Sequence, residues 1–158
     1  IEIVQRGWAH ALQVLYNVLN QSPATMLFPL AKEKGYGIIA RVPLASGLLT
    51  GKFRIESLFA SDDVRQNFLT PRRLQEAIAR VDEVKSIIGG TAKSLTEGAL
   101  RFVLADEAVS TTIPGARNAR QVEMNAGAAD GALPDEIVER LKTRLGDYNF
   151  YQRHGIRL

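Results

Sequence analysis

Residues 35–53 read GYGIIARVPLASGLLTGKF, and this stretch predicts the architecture of the whole chain. Residues 37–41 contain a short apolar run that follows a glycine, a pattern typical of a strand buried on both faces of a parallel sheet. Pro43 then fixes φ and removes a backbone donor, and the small residues after it predict a loop with exposed N–H groups. Such a loop suits a phosphate, and Lys52 and Arg54 add positive charge at its far end. Taken alone, the stretch is equally consistent with an ordinary strand-to-helix connection.

The composition limits the class of protein. The 158 residues, 46% hydrophobic and 23% charged, predict one globular domain with a sizeable core. The net charge of +3 is spread among acidic residues, which favours a small anionic ligand and argues against a nucleic-acid partner. The absence of cysteine excludes disulfides, thiolate nucleophiles and cysteine-based metal sites. No apolar run approaches the roughly 18 residues of a membrane span and no signal peptide is visible, so we expect no membrane partner and a cytoplasmic location.

Strands and helices alternate along the chain. We predict strands at residues 11–16, 37–41 and 109–113, and helices at residues 24–34, 71–88, 94–104, 118–128 and 134–145. Alternation of this kind implies right-handed crossovers and a parallel sheet. Three strands would leave two unpaired edges, so we expect them to belong to a larger sheet. The chain begins at Ile1 in what reads as the end of a helix, and we therefore expect the natural N-terminus to lie upstream.

Two segments of the chain fall outside this alternation. Residues 55–69 are polar and without a period, which is long for a connection and indicates a mobile or functional segment. Residues 146–158 mix aromatic and charged side chains, also without a period. We expect the latter to form a variable C-terminal tail.

A second motif occupies residues 113–125, which read IPGARNARQVEMN. The predicted strand ends at a Pro-Gly break, and Ala116, Arg117 and Asn118 lead into a helix N-terminus. Free N–H groups and the helix dipole favour an anion at such a position. Two consecutive parallel strands thus end in loops suited to a phosphate, as in eight-stranded barrels, where the loops after the seventh and eighth strands form the recurrent phosphate site.

Taken together, the two motifs closely resemble the aldo-keto reductase family. The resemblance implies an α/β fold, namely the C-terminal half of a (β/α)8 TIM barrel, with the three predicted strands as its sixth, seventh and eighth. Residues 1–158 would then form a single partial domain. The implied activity is NADPH-dependent reduction of aldehydes or ketones, with NADP(H) as cofactor, a small carbonyl compound as substrate and the missing N-terminal half of the barrel as partner. The oligomeric state stays open.

The resemblance also implies a set of cofactor-binding residues. Gln13 falls where the family holds the nicotinamide carboxamide; the alternative is a buried glutamine bonded to neighbouring backbone. Arg117 falls on the segment that meets the 2′-phosphate; the alternative is a solvated surface residue. We expect Arg120 to be a surface residue. The full predicted set comprises Gln13, Arg41, Val42, Pro43, Leu44, Ser46, Gly47, Leu48, Lys52, Gly115, Ala116, Arg117, Gln121 and Asn125.

Two residues depart from the family pattern. Arg41 stands where many members place an aromatic ring against the nicotinamide, and Met124 stands where an acidic residue is frequent near the adenine. Because a guanidinium can stack on a flat ring, Arg41 is expected to disfavour the cationic oxidised nicotinamide.

The family's catalytic Tyr, Lys, Asp and His lie on its first four strand-helix units, which have no counterpart here. His10 and His154 do not match the catalytic histidine, so no catalytic residue is predicted, and no metal ligand either. The alternative function is that of a truncated, non-catalytic nucleotide-binding or interaction protein that completes its sheet with another chain.

Overall fold

In the computed structural model, which covers residues Ile1–Leu158, three parallel strands form the centre of the molecule. Strands β1 (Ala11–Leu15), β2 (Gly37–Arg41) and β3 (Val109–Ile113) lie side by side in the order β1-β2-β3. Both neighbouring pairs are parallel, as the alternation of strands and helices predicts. The C-terminal ends of all three strands therefore lie on the same side of the molecule.

The chain also forms seven α-helices: α1 (Glu2–Arg6), α2 (Pro23–Glu33), α3 (Pro71–Ile88), α4 (Leu95–Leu104), α5 (Ala119–Gly127), α6 (Asp135–Leu145) and α7 (Phe150–Arg153). Short 3-10 turns occupy Ala45–Thr50, Val64–Asn67 and Ala128–Asp130. None of these helices combines the length and apolar character needed to cross a membrane.

Side-chain caps start three of the helices where the sequence predicts them. The side chains of Thr70, Ser94 and Asn118 each accept a hydrogen bond from the backbone N–H three residues later. Each bond satisfies a donor that the first turn of a helix would otherwise leave free. Local residue chemistry therefore sets where α3, α4 and α5 begin.

Strand β2 is the buried centre of the sheet. Ile38 and Ala40 are fully buried and belong to a core that includes Leu74 of α3 and Phe102 of α4. Burying a side chain of this kind contributes about 1.5–3 kcal/mol for a large aliphatic or aromatic residue. The core thus anchors the residues at the end of β2, from which the first loop described below departs.

The prediction of a buried first strand is wrong. Strand β1 ends at Leu15, and Ala11 and Gln13 are exposed. Ala11 and Gln13 lie two residues apart and so on the same face of the sheet, and this face is open: Gln13 pairs with the partly buried Ile39, and Ile39 pairs with the exposed Thr111. Strand β1 also forms one edge of the sheet. Strand β3 forms the other edge and is also largely accessible, which leaves two unpaired edges as the strand count predicts.

The end of the chain packs against the core despite its lack of a period. Tyr148, Phe150 and Tyr151 of this segment are buried in the main hydrophobic cluster. Helix α7 has only four residues, which is too short for an amphipathic period to be visible in the sequence.

Candidate functional site

A groove of about 750 Å³ opens where β2 and β3 end. One wall is formed by the loop after β2, and the other by the loop after β3 and the first turns of α5. Eleven of the predicted cofactor positions line this groove: Val42, Pro43, Leu44, Ser46, Gly47, Lys52, Gly115, Ala116, Arg117, Gln121 and Asn125. The fold therefore brings together two motifs that lie about 70 residues apart in the sequence.

The loop after β2 is held in an unusual backbone conformation. Val42, Ala45 and Ser46 have φ values of 54°, 49° and 56°, and Gly47 has a φ of 93°. A left-handed backbone conformation costs roughly 1–3 kcal/mol for each non-glycine residue and persists only where surrounding contacts impose it. Such residues cluster at ligand-binding sites, so the observed backbone points to a functional loop.

Side chains from three parts of the chain hold this loop. The Asn17 Nδ2 amide donates to the Val42 carbonyl at 2.9 Å, and Asn17 itself is fully buried. The Thr50 hydroxyl donates to the Gly47 carbonyl at 2.7 Å. The Ser46 hydroxyl lies 2.8 Å from the Tyr151 hydroxyl. These contacts stabilise the left-handed turn from the loop after β1, from within the loop and from the C-terminal segment.

Backbone N–H groups on both walls of the groove are left free. The amides of Leu44, Ser46, Gly115 and Ala116 donate to no other group of the chain. Unpaired amides next to a left-handed turn form concavities that bind anions. The groove walls therefore offer the hydrogen-bond donors that phosphate oxygens require.

The N-terminus of α5 is closed by two reciprocal side-chain bonds. The Asn118 Oδ1 atom accepts from the Gln121 N–H at 3.0 Å, and the Gln121 Oε1 atom accepts from the Arg117 N–H at 2.7 Å. Gln121, a predicted cofactor contact, thus has a local role in orienting Arg117. The positive end of the helix dipole lies at the same place.

All the charged side chains that line the groove are basic. Lys52, Arg65, Arg117 and Arg120 line it, and no aspartate or glutamate does. Arg120 is exposed, as predicted, but it also forms part of the groove wall. Arg65 is ion-paired with Asp63, so an anionic ligand in this groove would meet three cations that are not paired with a carboxylate: Lys52, Arg117 and Arg120.

Sequence reasoning missed Arg65, which lies in the segment without a period. Its guanidinium Nε donates to Asp63 Oδ1 at 2.8 Å and lies over the rings of Phe53 and Phe59, at 5.4 and 5.1 Å from their centroids. The hydrogen bonds that Arg65 donates lower the pKa of Asp63 to about 2. Only the composition of residues 55–69 could have drawn attention to this segment, because cation-aromatic stacking leaves no periodic signal.

Three predicted residues do not line the groove. Gln13 lies exposed on β1, and its side chain makes no hydrogen bond within the chain. Arg41 is the last residue of β2, and its Nη1 group donates to the Leu158 carbonyl at 3.4 Å. The Leu48 side chain is only 2% exposed and packs in the core. Met124, in contrast, does lie on the groove wall.

The chain belongs to the aldo/keto reductase family, whose sequence model matches residues 8–144. It is 33% identical over 122 residues to the L-glyceraldehyde 3-phosphate reductase of Escherichia coli O157:H7, covering 73% of this chain and 35% of that protein. It is 32% identical over 154 residues to aflatoxin B1 aldehyde reductase member 2 of Rattus norvegicus, covering 84% and 42% respectively.

The fold is similar to that of a glycerol dehydrogenase from Gluconobacter oxydans. The TM-score is 0.75 at 25% sequence identity, and the match covers 97% of this chain and 46% of that one. The chain therefore spans less than half the length of these relatives.

Proposed function

We propose that this chain is the NADP(H)-binding half of an aldo-keto reductase and that the groove at the ends of β2 and β3 holds the cofactor. In this proposal β1, β2 and β3 are the sixth, seventh and eighth strands of a (β/α)8 barrel. The observation that carries the proposal is the groove itself, which combines free amides on both walls with Lys52, Arg117 and Arg120, three basic side chains that no carboxylate pairs. NADP(H) carries both a pyrophosphate and a 2′-phosphate.

The two walls suit the two phosphate groups. The Leu44 and Ser46 amides offer donors for the pyrophosphate, and Lys52 offers positive charge. Arg117 lies just before the N-cap of α5 and Arg120 lies in its first turn, where a 2′-phosphate would also meet the positive end of the helix dipole. We assign no contact to the Leu48 side chain because it is buried in the core.

We place the nicotinamide end of the cofactor next to β1 and β2, on the side of the loop after β2 that lies away from α5. Arg41 immediately precedes the groove-lining Val42, and Gln13 pairs with Ile39 on the neighbouring strand. When bound, the cofactor supplies a hydride to a carbonyl carbon. The residues of this chain bind and orient it, while the proton donor for the carbonyl oxygen comes from outside the chain.

Binding of the reduced cofactor tests this function. We expect the complete natural protein that carries this chain to bind NADPH saturably, with an affinity that falls as salt increases because phosphate contacts dominate. Nicotinamide fluorescence and calorimetry give the dissociation constant, and reduction of an aldehyde panel by the same material gives the activity. Material that binds no NADPH at either low or moderate salt would exclude the proposal.

The second candidate is a truncated, non-catalytic protein that completes its sheet with another chain. The two open edges at β1 and β3 favour it, as does Trp8, which is 65% exposed just before β1. The intact mass of the natural protein separates the two functions. A mass of about 35 kDa is expected for a full barrel, whereas this chain alone has a mass of 17.4 kDa.

A further inference from the structure

The C-terminal strap, defined as residues 146–154, is fixed to the loop that follows β1. The Asn149 Oδ1 atom accepts hydrogen bonds from the N–H groups of Gln21 and Ser22, at 3.0 and 2.9 Å. Asn149 itself has a φ of 42°, a left-handed conformation that these two bonds stabilise. The strap is therefore a positioned element of the structure and not a loose end.

The strap reaches the groove through Tyr151. The Tyr151 ring is 2% exposed and packs against Phe150 and Phe68, with ring centroids 5.3 and 6.5 Å away. Its hydroxyl lies 2.8 Å from the Ser46 hydroxyl, which has no other side-chain or backbone partner. Burial raises the pKa of Tyr151 to about 12, so this hydroxyl keeps its proton at neutral pH.

The bond to Tyr151 fixes the direction of the Ser46 hydroxyl. Serine side chains in turns readily bond to nearby backbone N–H groups. In this loop the amides of Leu44 and Ser46 are unpaired. The bond to Tyr151 holds Ser46 in one side-chain rotamer, in which its hydroxyl bonds to none of these amides, and ties its left-handed backbone to the core.

We propose that Tyr151 is a positioning residue for cofactor binding, which holds Ser46 so that the loop after β2 presents free amides to the pyrophosphate. This inference rests on the proposed function, because the pyrophosphate is that of NADP(H). It gives the C-terminal strap a role in the cofactor site, in addition to its packing in the core.

Two matched variants of the complete natural protein test the role of Tyr151. Tyr151→Phe keeps the buried ring and removes only the hydroxyl. Tyr148→Phe is the control, since Tyr148 lies in the same strap, is 8% exposed and has a buried hydroxyl without any partner. We expect Tyr151→Phe to weaken NADPH binding about three- to tenfold, the range that corresponds to one lost hydrogen bond. The KM for NADPH should rise while kcat stays unchanged, and Tyr148→Phe should change neither.

Hydrogen exchange provides a readout without cofactor. Amides of residues 44–51 should exchange faster in Tyr151→Phe than in wild type or Tyr148→Phe. In a Ser46→Ala background, Tyr151→Phe should add no further loss of NADPH affinity, because its effect passes through the Ser46 hydroxyl.

Three outcomes would overturn the inference. Equal NADPH affinity in Tyr151→Phe and wild type means that the loop does not depend on the hydroxyl. Equal losses in Tyr151→Phe and Tyr148→Phe mean that the strap acts only through general stability. A wild-type protein that binds no NADPH overturns the proposed function together with this inference, and that result is distinguishable because it appears before any substitution is made.

Discussion

Replacing Arg117 by alanine is the sharpest test of which nucleotide the groove prefers. The backbone N–H of Arg117 bonds to Gln121, and this bond survives the substitution because it uses no side-chain atom of Arg117. The loop after β3 should therefore keep its conformation, and only the guanidinium is removed. We expect Arg117→Ala to weaken binding of NADPH and to leave binding of NADH nearly unchanged.

The expected loss for NADPH is about 1.5 kcal/mol, or roughly tenfold in the dissociation constant. Hydrogen bonds to charged groups contribute about 1.5–3 kcal/mol, and the lower end applies here because Arg117 is exposed. Arg120 also lines the groove and retains part of the positive charge. The loss should shrink at about 1 M salt, where the Debye length falls to about 3 Å.

Fluorescence titrations of both cofactors at the same ionic strength measure the effect. Arg140→Ala is the matched control, because Arg140 is an exposed arginine of α6 that does not line the groove. Equal losses for NADPH and NADH would show that Arg117 does not contact the 2′-phosphate. Unchanged NADPH affinity would show that Arg117 is a solvated surface residue.

Three further predictions concern stability. Gly98→Ala should lower the free energy of unfolding by about 1–3 kcal/mol in urea titrations, because a Cβ there would lie 2.7 Å from the Ile88 Cδ1 atom. Adding Ile88→Val to Gly98→Ala should recover part of this loss. If it recovers none, the clash is refuted. Burial lowers the pKa of His154 below 6.5, so the unfolded chain binds a proton more readily than the folded one. The free energy of unfolding should therefore fall as the pH drops from about 7 to 5. His154→Gln should reduce this dependence on pH. The pKa of Asp63 is lowered to about 2 by its hydrogen bonds with Arg65. The difference in unfolding free energy between wild type and Asp63→Asn should therefore be constant above about pH 5 and shrink below about pH 4. A difference that persists at low pH would contradict the assigned bond.

Much of the fold follows from short-range patterns. The caps at Thr70, Ser94 and Asn118 mark helix starts because a side-chain oxygen three residues before a free N–H is a local arrangement. The β2 boundaries, Gly37 to Arg41, agree with the prediction because an apolar run followed by proline leaves few alternatives. The resemblance to the aldo-keto reductase family adds the expectation that the loops after β2 and β3 bind the same cofactor.

The burial of β1 could not be predicted in the same way. The apolar run at residues 11–16 carries no information about which face of the sheet is covered, so Gln13 is exposed although its neighbours are apolar. Side-chain burial depends on what packs against each face of the sheet, and that is a property of the folded protein.

The sequence by itself determined the order of strands and helices, the two glycine-containing loops and the positive charge near them. Only the tertiary structure decided that Arg65 and Tyr151 reach those loops, at the groove wall and at the Ser46 hydroxyl. The physical reason is the range of the interactions. Periodicity and capping act over a few residues, whereas the Ser46–Tyr151 contact joins residues 105 positions apart and exists only once the core has packed.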